Sequence, residues 1–254
     1  MEKKSLQYII QNIKIKIDPQ KELFDEIKPL ESDDGFVLFG VQEFTENENQ
    51  IFKKSYSGKP PYDISKKAPK YRYFYSKIWD ETKPVLFFVL LNPSTADANH
   101  MDPTVTNCFN IAKKWKTEAE KEIEHGGLAV VNLFALRSPR PGILKKIENP
   151  DNLKKINRDF LKEVFKIKNT DFVIAWGLNK NYEKEKEIIR PLIKKYIKAN
   201  IYTLRRDCQS QKNEERHPSN QAWSRIKDDN GNIGFNNAAI LCPSIKINQL
   251  PGHP

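Results

Sequence analysis

Cysteine is scarce in this chain: Cys108, Cys208 and Cys242 are odd in number and widely spaced, with no Cys-x-x-Cys pair to frame a zinc ion or a cluster. Buried free thiols are the expected outcome. Long apolar runs are missing too, the longest being Val85 to Leu91, far short of the roughly 20 residues that cross a bilayer. The N-terminal stretch is interrupted by Gln11, Asn12 and Lys14 and lacks a small-residue cleavage site, so a signal peptide is not expected and a cytoplasmic chain without a membrane partner is. There is no paired-histidine ligand spacing, no Gly-x-Gly-x-x-Gly and no phosphate loop ending in Gly-Lys-Ser, so neither a metal nor a nucleotide cofactor is expected.

What is present is a foldable, basic composition. With 38% hydrophobic and 11% aromatic residues among 254 the chain is too apolar for disorder, and it is long enough to bury a real core. Lys and Arg number 43 against 33 Asp and Glu, a net charge of +10. Such an excess suits a polyanionic partner, since cations that neutralise phosphates release counterions. Pairs such as Lys113-Lys114, Lys154-Lys155 and Lys194-Lys195 are as readily solvated helix faces.

The pattern divides the chain into three parts: an N-terminal extension of short strands over 1–70, an α/β domain over 71–225, and a tail over 226–254 packed on that domain. Tyr71 to Tyr75 suits a strand or base stacking. Val85 to Leu91 reads as a strand buried on both faces, the habit of parallel sheets. Asp102-Pro103 then opens a helix carrying Cys108, Trp115 and Ala119 as far as Gly126-Gly127. A strand over Leu128 to Phe134 follows, then a helix with Leu153, Ile156, Phe160 and Val164 on one face, and a strand over Asp171 to Trp176. A helix over Tyr182 to Lys198, interrupted by Pro191, and a strand over Ile201 to Leu204 complete the alternation. Ala238 to Cys242 is one more strand candidate, after an Asn230-Gly231 turn. The expected fold is a three-layer α/β/α sandwich around a central, mainly parallel, four-stranded sheet, with a monomeric chain. Ligands of such sheets bind beyond the carboxyl ends of the strands, so the loops after Leu91, Val131, Trp176 and Leu204 should converge.

Those loops hold Asn92-Pro93-Ser94, Asn132-Leu133-Phe134, Trp176-Gly177 and His217-Pro218-Ser219. In this order they resemble the uracil-DNA glycosylase superfamily, whose loops carry Asp-Pro-Tyr or Asn-Pro-Gly, a strand-ending Asn, Leu-Trp-Gly and His-Pro-Ser. More closely, Arg72 to Trp79, Leu91 to Asp97, Asp102-Pro103-Thr104 and Val130 to Arg137 resemble the bacterial and phage family catalogued as domain of unknown function 1643. The resemblance covers roughly residues 70 to 220.

It implies a DNA glycosylase that extrudes a base from duplex DNA and cuts its glycosidic bond, leaving an abasic site. His217 matches the histidine that stabilises the departing base, for which a neutral imidazole suffices. Asn92 matches the position that holds the attacking water; it is Asp in the uracil-specific branch, and an amide can orient water but not take its proton. Asp97 or Asp102 could assist, although Asp102 before Pro103 also suits a helix cap and Asp97 a turn. Asn132 matches the asparagine that reads the pyrimidine edge. Pro93, Ser94, Phe134 and Trp176 complete the implied substrate-binding set. Uracil-specific members carry Tyr where this chain has Ser94, crowding C5, so serine implies a pyrimidine enlarged at C5 by a methyl, hydroxymethyl or glucosylated hydroxymethyl group. Phage DNA carries such bases, and the setting would then be antiviral defence. Arg137, Arg205, Arg206, Arg216, Ser219, Gln221 and Arg225 are the expected DNA contacts, with Gln221 or Trp223 as the wedge. The alternatives are a module that binds a modified base or a nucleotide without cutting it, and an N-glycosidase acting on free nucleosides or nucleotides.

Overall fold

In chain order the computed structural model contains α1 (Leu6–Ile17), β1 (Pro29–Ser32), β2 (Gly35–Glu43), β3 (Lys70–Ile78), β4 (Val85–Leu90), α2 (Pro103–Lys113), β5 (Gly127–Asn132) and α3 (Asp151–Val164). There follow β6 (Thr170–Ile174), a short 3-10 turn (Lys180–Tyr182), α4 (Glu183–Tyr196), β7 (Ile201–Arg205) and β8 (Ile240–Pro243). The structure describes residues 6–17, 29–32, 35–43, 70–94, 96, 101–113, 124–138, 151–168, 170–205, 216–218 and 240–243. Trp115, Ala119 and the Asn230-Gly231 turn lie outside them.

Among the described residues one sheet runs in the order β1-β2-β3-β5-β4-β6-β7-β8. The class is mixed α/β, as expected, but the sheet has eight strands rather than four. The four anticipated strands are its parallel centre, with β4 hydrogen-bonded to both β5 and β6, and β6 to β7. Antiparallel strands widen it on both sides. β3 pairs with β5 and carries β2, which carries β1; β8 pairs with β7. The 1–70 region and the tail therefore both contribute edge strands to the same sheet. These non-local pairings leave no trace in local periodicity. Tyr71, Tyr73 and Tyr75 are buried, so the aromatic run is a strand and not a base-stacking surface.

Continuous apolar strands imply cover on both faces, and alternation splits the core accordingly. Phe87, Val89, Ala129, Val131, Phe172 and Ile174 pack with Ile10 and Ile13 of α1, Phe160, Leu161 and Val164 of α3, and Ile189 and Ile193 of α4. On the other face Leu86, Phe88, Leu90, Leu128, Val130 and Val173 pack with Val105, Cys108 and Ala112 of α2. Helices thus cover both faces. Burial pushes the Cys108 thiol well above its ordinary pKa, with the Asp102 charge adding to the rise, which makes it an inert core group.

Two local expectations change. The N-terminal segment is a helix: Leu6, Ile9, Ile10 and Ile13 lie at helical spacing, with the last two buried. Asn12, one of the residues expected to break the stretch, is exposed within the helix. Helix α4 runs straight through Pro191. Pro191 and Glu187, the residue whose carbonyl loses its helical donor, are both exposed, so water can serve that carbonyl. Arg158 of α3 and Glu185 of α4 pair through both oxygens at 2.7 and 2.6 Å, joining the two helices beside the sheet.

The strand order positions the site. Chain connections leave β4 toward β5 through α2 on one face, and β6 toward β7 through α4 on the other. A crevice opens where such connections diverge, beyond the carboxyl ends of β4 and β6.

Candidate functional site

The loop leaving β4 is fastened to the loop leaving β5. Leu133 and Phe134 N–H groups donate to Leu90 and Leu91 carbonyls, and Ser138 N–H donates to Pro93 O at 2.7 Å. Asn92, 9% exposed, donates through Nδ2 to the carbonyls of Pro93 (2.9 Å) and Ser138 (2.7 Å). Carbonyls only accept, so the amide's orientation is determined and Oδ1 is its group for any water. Asp102 caps α2: its Oδ1 accepts from Val105 N–H at 2.9 Å while Oδ2 accepts from Ala96 N–H at 3.1 Å. Both oxygens are engaged in structure, which gives it the capping role and not that of a base. Asp97 lies outside the described residues.

Asn132 ends β5 on the α2 face, by alternation with Leu128 and Val130. It is 1% exposed, and neither Nδ2 nor Oδ1 has a hydrogen-bond partner. Its backbone is fixed from the opposite side, because Asn157 of α3 donates to the carbonyls of Asn132 (3.1 Å) and Leu133 (2.9 Å). Buried amides are almost always paired, and an unpaired one costs about 1–3 kcal/mol. Among the described residues, this rigidly held amide keeps all its bonding capacity open to a ligand or a buried water.

His217 is held at the same end of the sheet beside Gly177 and through its neighbour Pro218. Gly177 has a positive φ of 84°, and a Cβ there would lie 3.4 Å from His217 Cβ. Glycine is required by the left-handed backbone. The Gly177 carbonyl accepts from the buried Lys186 ammonium of α4 at 2.8 Å, and so does Asn179 O at 3.2 Å. On the other flank Asn107 of α2 donates to Pro218 O at 2.6 Å. Loops after β6 and β7 are thereby locked to helices on opposite faces. Burial lowers the His217 pKa from 6.5 to about 4, against a smaller opposing effect of Asp102. The imidazole is neutral at pH 7, with one N–H to donate.

A stability test follows from that shift. The unfolded chain takes up a proton near pH 6.5 and the folded one only near 4, so the contribution of His217 is intact above 6.5 and lost as pH falls toward 4. Part of His217 remains exposed, so about 3 kcal/mol is an upper bound on the loss. The His217→Gln variant should show a pH dependence of stability shallower by about 2 kcal/mol between pH 7.5 and 5. Urea denaturation at the two pH values measures it; parallel curves for both proteins would refute a neutral buried imidazole.

Other expected site residues are placed differently. Trp176 is fully buried in the cluster under α1, α3 and α4, with the Arg190 guanidinium 5.7 Å from its ring centroid. It is a core residue on the face away from Asn132. Phe134 packs edge-on against Tyr182 at 5.7 Å, also on the Trp176 side. Pro93 is buried and Ser94 partly exposed. Arg137 donates to the carbonyls of Ser94 (2.8 Å) and Ala96 (3.1 Å). Arg216 is partly exposed, and its N–H donates to Leu204 O at 3.4 Å. Arg206, Ser219, Gln221, Trp223, Arg225 and the side chain of Arg205 lie outside the described residues. Asn107, Asn157, Lys186 and Arg72, all buried polar residues that build the site, were not anticipated. Polar residues on otherwise apolar helix faces were the available signal for the first two.

Among the described residues, no group of three or more His, Cys, Asp or Glu could hold a metal ion. No helix among them is long and apolar enough to cross a membrane. Comparison with known families matches residues 72–219, more than half of the chain, to the family described as Protein of unknown function (DUF1643). No curated protein matches.

Proposed function

We propose, from the premise that the chain belongs to the family described as Protein of unknown function (DUF1643), that it is a DNA N-glycosylase of the uracil-DNA glycosylase-like kind. Its substrate in this reading is a flipped pyrimidine enlarged at C5, and its product an abasic site. The observation that carries the proposal is the orphan amide of Asn132, 1% exposed and unpaired at both polar atoms. An amide offers one acceptor and two donors, which suits the hydrogen-bonding edge of a flipped base. An apolar ligand would give no reason for keeping it there.

The remaining parts support the same chemistry. As the bond between the sugar C1′ and the base nitrogen breaks, positive charge grows on the sugar and negative charge on the base. A neutral His217, donating one N–H to a base oxygen, stabilises the latter. Water then adds to C1′, oriented by Asn92 Oδ1, and releases its proton to solvent. Because the sugar cation forms first, the water needs positioning more than deprotonation, so an amide can serve where a carboxylate would be faster. Ser94 leaves room at C5, and the +10 charge suits a phosphate-rich partner. Bases enlarged in this way occur in phage DNA, so the biological setting would be antiviral defence.

The direct assay incubates the full chain with phage genomic DNAs carrying unmodified, hydroxymethylated or glucosylated cytosine, then applies alkali and mass spectrometry. Release of a C5-modified base is expected, with little or none from an unmodified uracil duplex. Equal cleavage of both, or of uracil alone, would refute the C5 argument. A second reading, a binding module for modified bases, is favoured by one observation: both N–H bonds of Asn92 go to main-chain carbonyls, a structural use. Binding without base release from any of these DNAs, or from thymine mismatches, would decide for it.

A further inference from the structure

The Ala96 peptide is gripped from both ends. Its N–H donates to Asp102 Oδ2 at 3.1 Å, and its carbonyl accepts from Arg72 Nη1 at 2.8 Å and Arg137 Nη2 at 3.1 Å. Arg137 also donates from Nε to Ser94 O at 2.8 Å. The two arginines arrive from different places. Arg72 comes from β3, where it is 2% exposed with its guanidinium 5.8 Å from the Tyr75 ring centroid; Arg137 comes from the segment beyond β5. One of the two edges by which a guanidinium grips a phosphate is its Nε and Nη2 edge. Arg137 turns that edge onto two main-chain carbonyls.

We infer that Arg72 and Arg137 form a guanidinium clamp that positions the 92–96 loop, and with it Asn92 and Ser94, for the reaction. Arg137 is then a positioning residue that acts through the loop, not a reader of DNA phosphates. The geometry explains why arginine is needed. A single flat fork reaches the carbonyls of Ser94 and Ala96 together, whereas a lysine ammonium has no such fixed edge. The kinetic part of the inference rests on the glycosylase reading; the structural part does not.

The test uses the full chain and its Arg137→Lys, Arg137→Gln and Arg72→Lys variants. Three quantities are read: single-turnover base release from the modified phage DNA, salt dependence of duplex DNA affinity, and amide hydrogen exchange of the 92–96 and 133–138 segments. For Arg137→Lys and Arg72→Lys we expect base release slowed on the order of 10- to 100-fold, an unchanged salt slope, and faster exchange in both segments. Arg137→Gln should likewise leave the salt slope unchanged. A slope reduced by about one in Arg137→Gln, with exchange as in wild type, would make Arg137 a phosphate contact and overturn the inference. Lysine variants indistinguishable from wild type in exchange would also overturn it. If wild type releases no base, the glycosylase reading fails, and exchange with salt slope still decides the clamp. Should Arg72→Lys not fold, the two Arg137 variants decide.

Discussion

Asn132→Leu should make the protein more stable, by about 1–3 kcal/mol, and, on the proposed function, abolish its action on a base. The two side chains share one branched outline, leucine being the bulkier, so the change swaps an unpaired amide for an apolar group in a site that is 1% exposed. The folded chain then no longer carries a desolvated donor and acceptor, while the unfolded chain loses only their hydration. In a chain of this size each kcal/mol raises Tm by about 2–4 °C. The denaturant midpoint should rise with the m-value unchanged, and single-turnover base release should fall at least about 100-fold, since the base edge would face no partner. If the variant instead loses 2 kcal/mol or so, the amide is paired in the folded protein, for instance by a buried water. The principal argument for base recognition would then go with it.

Trp176→Ala should cost about 3–5 kcal/mol, a large share of the stability of any domain. Its ring is fully buried among Ile189, Ile193 and the strand residues of that face, so truncation leaves a cavity that packed neighbours fill only in part. Trp176→Phe retains a ring and should cost less, leaving a folded protein whose base release is little changed. A tryptophan in contact with substrate would behave in the opposite way, with a stable alanine variant and impaired binding. Urea denaturation of both variants, with base release measured on the phenylalanine one, separates the two. A stable but inactive Trp176→Phe would return Trp176 to the substrate site.

Much of the fold could be read from local pattern. The run Val85 to Leu91 and the apolar stretches near Leu128, Asp171 and Ile201 became the parallel strands β4, β5, β6 and β7. Asp102-Pro103 became the capped start of α2, and Ile156, Phe160 and Val164 the inner face of α3. Helix α1 was missed although its apolar spacing was present, because Gln11, Asn12 and Lys14 were read as interruptions. Pro191 was read as a break because sequence does not say which face of a helix meets water. The edge strands were beyond reach: β1, β2 and β8 are short or poorly patterned, and although β1 meets β2 in a local hairpin, β2 reaches β3 and β8 reaches β7 only across long intervening segments.

The site divides along the same line. The sequence by itself determined which residue types stand at the carboxyl ends of the strands, because a buried strand must be apolar along its length and its first polar residue marks its end. That put Asn92 and Asn132 at one end of the sheet, where the motif resemblance implied that Gly177 and His217 join them. Only the tertiary structure decided what each does there. Strand order set the crevice between β4 and β6, and strand alternation sent Asn132 toward α2 but Trp176 into the opposite layer. Which amide is a brace and which is left open depended on partners distant in sequence. Asn107 meets Pro218 across 111 residues and Asn92 meets Ser138 across 46, whereas the side-chain amide of Asn132 has no partner among the described residues. Local sequence encodes burial, since burial is a property of one residue and its near neighbours. A hydrogen bond belongs to two residues at once, and only the folded chain brings them together.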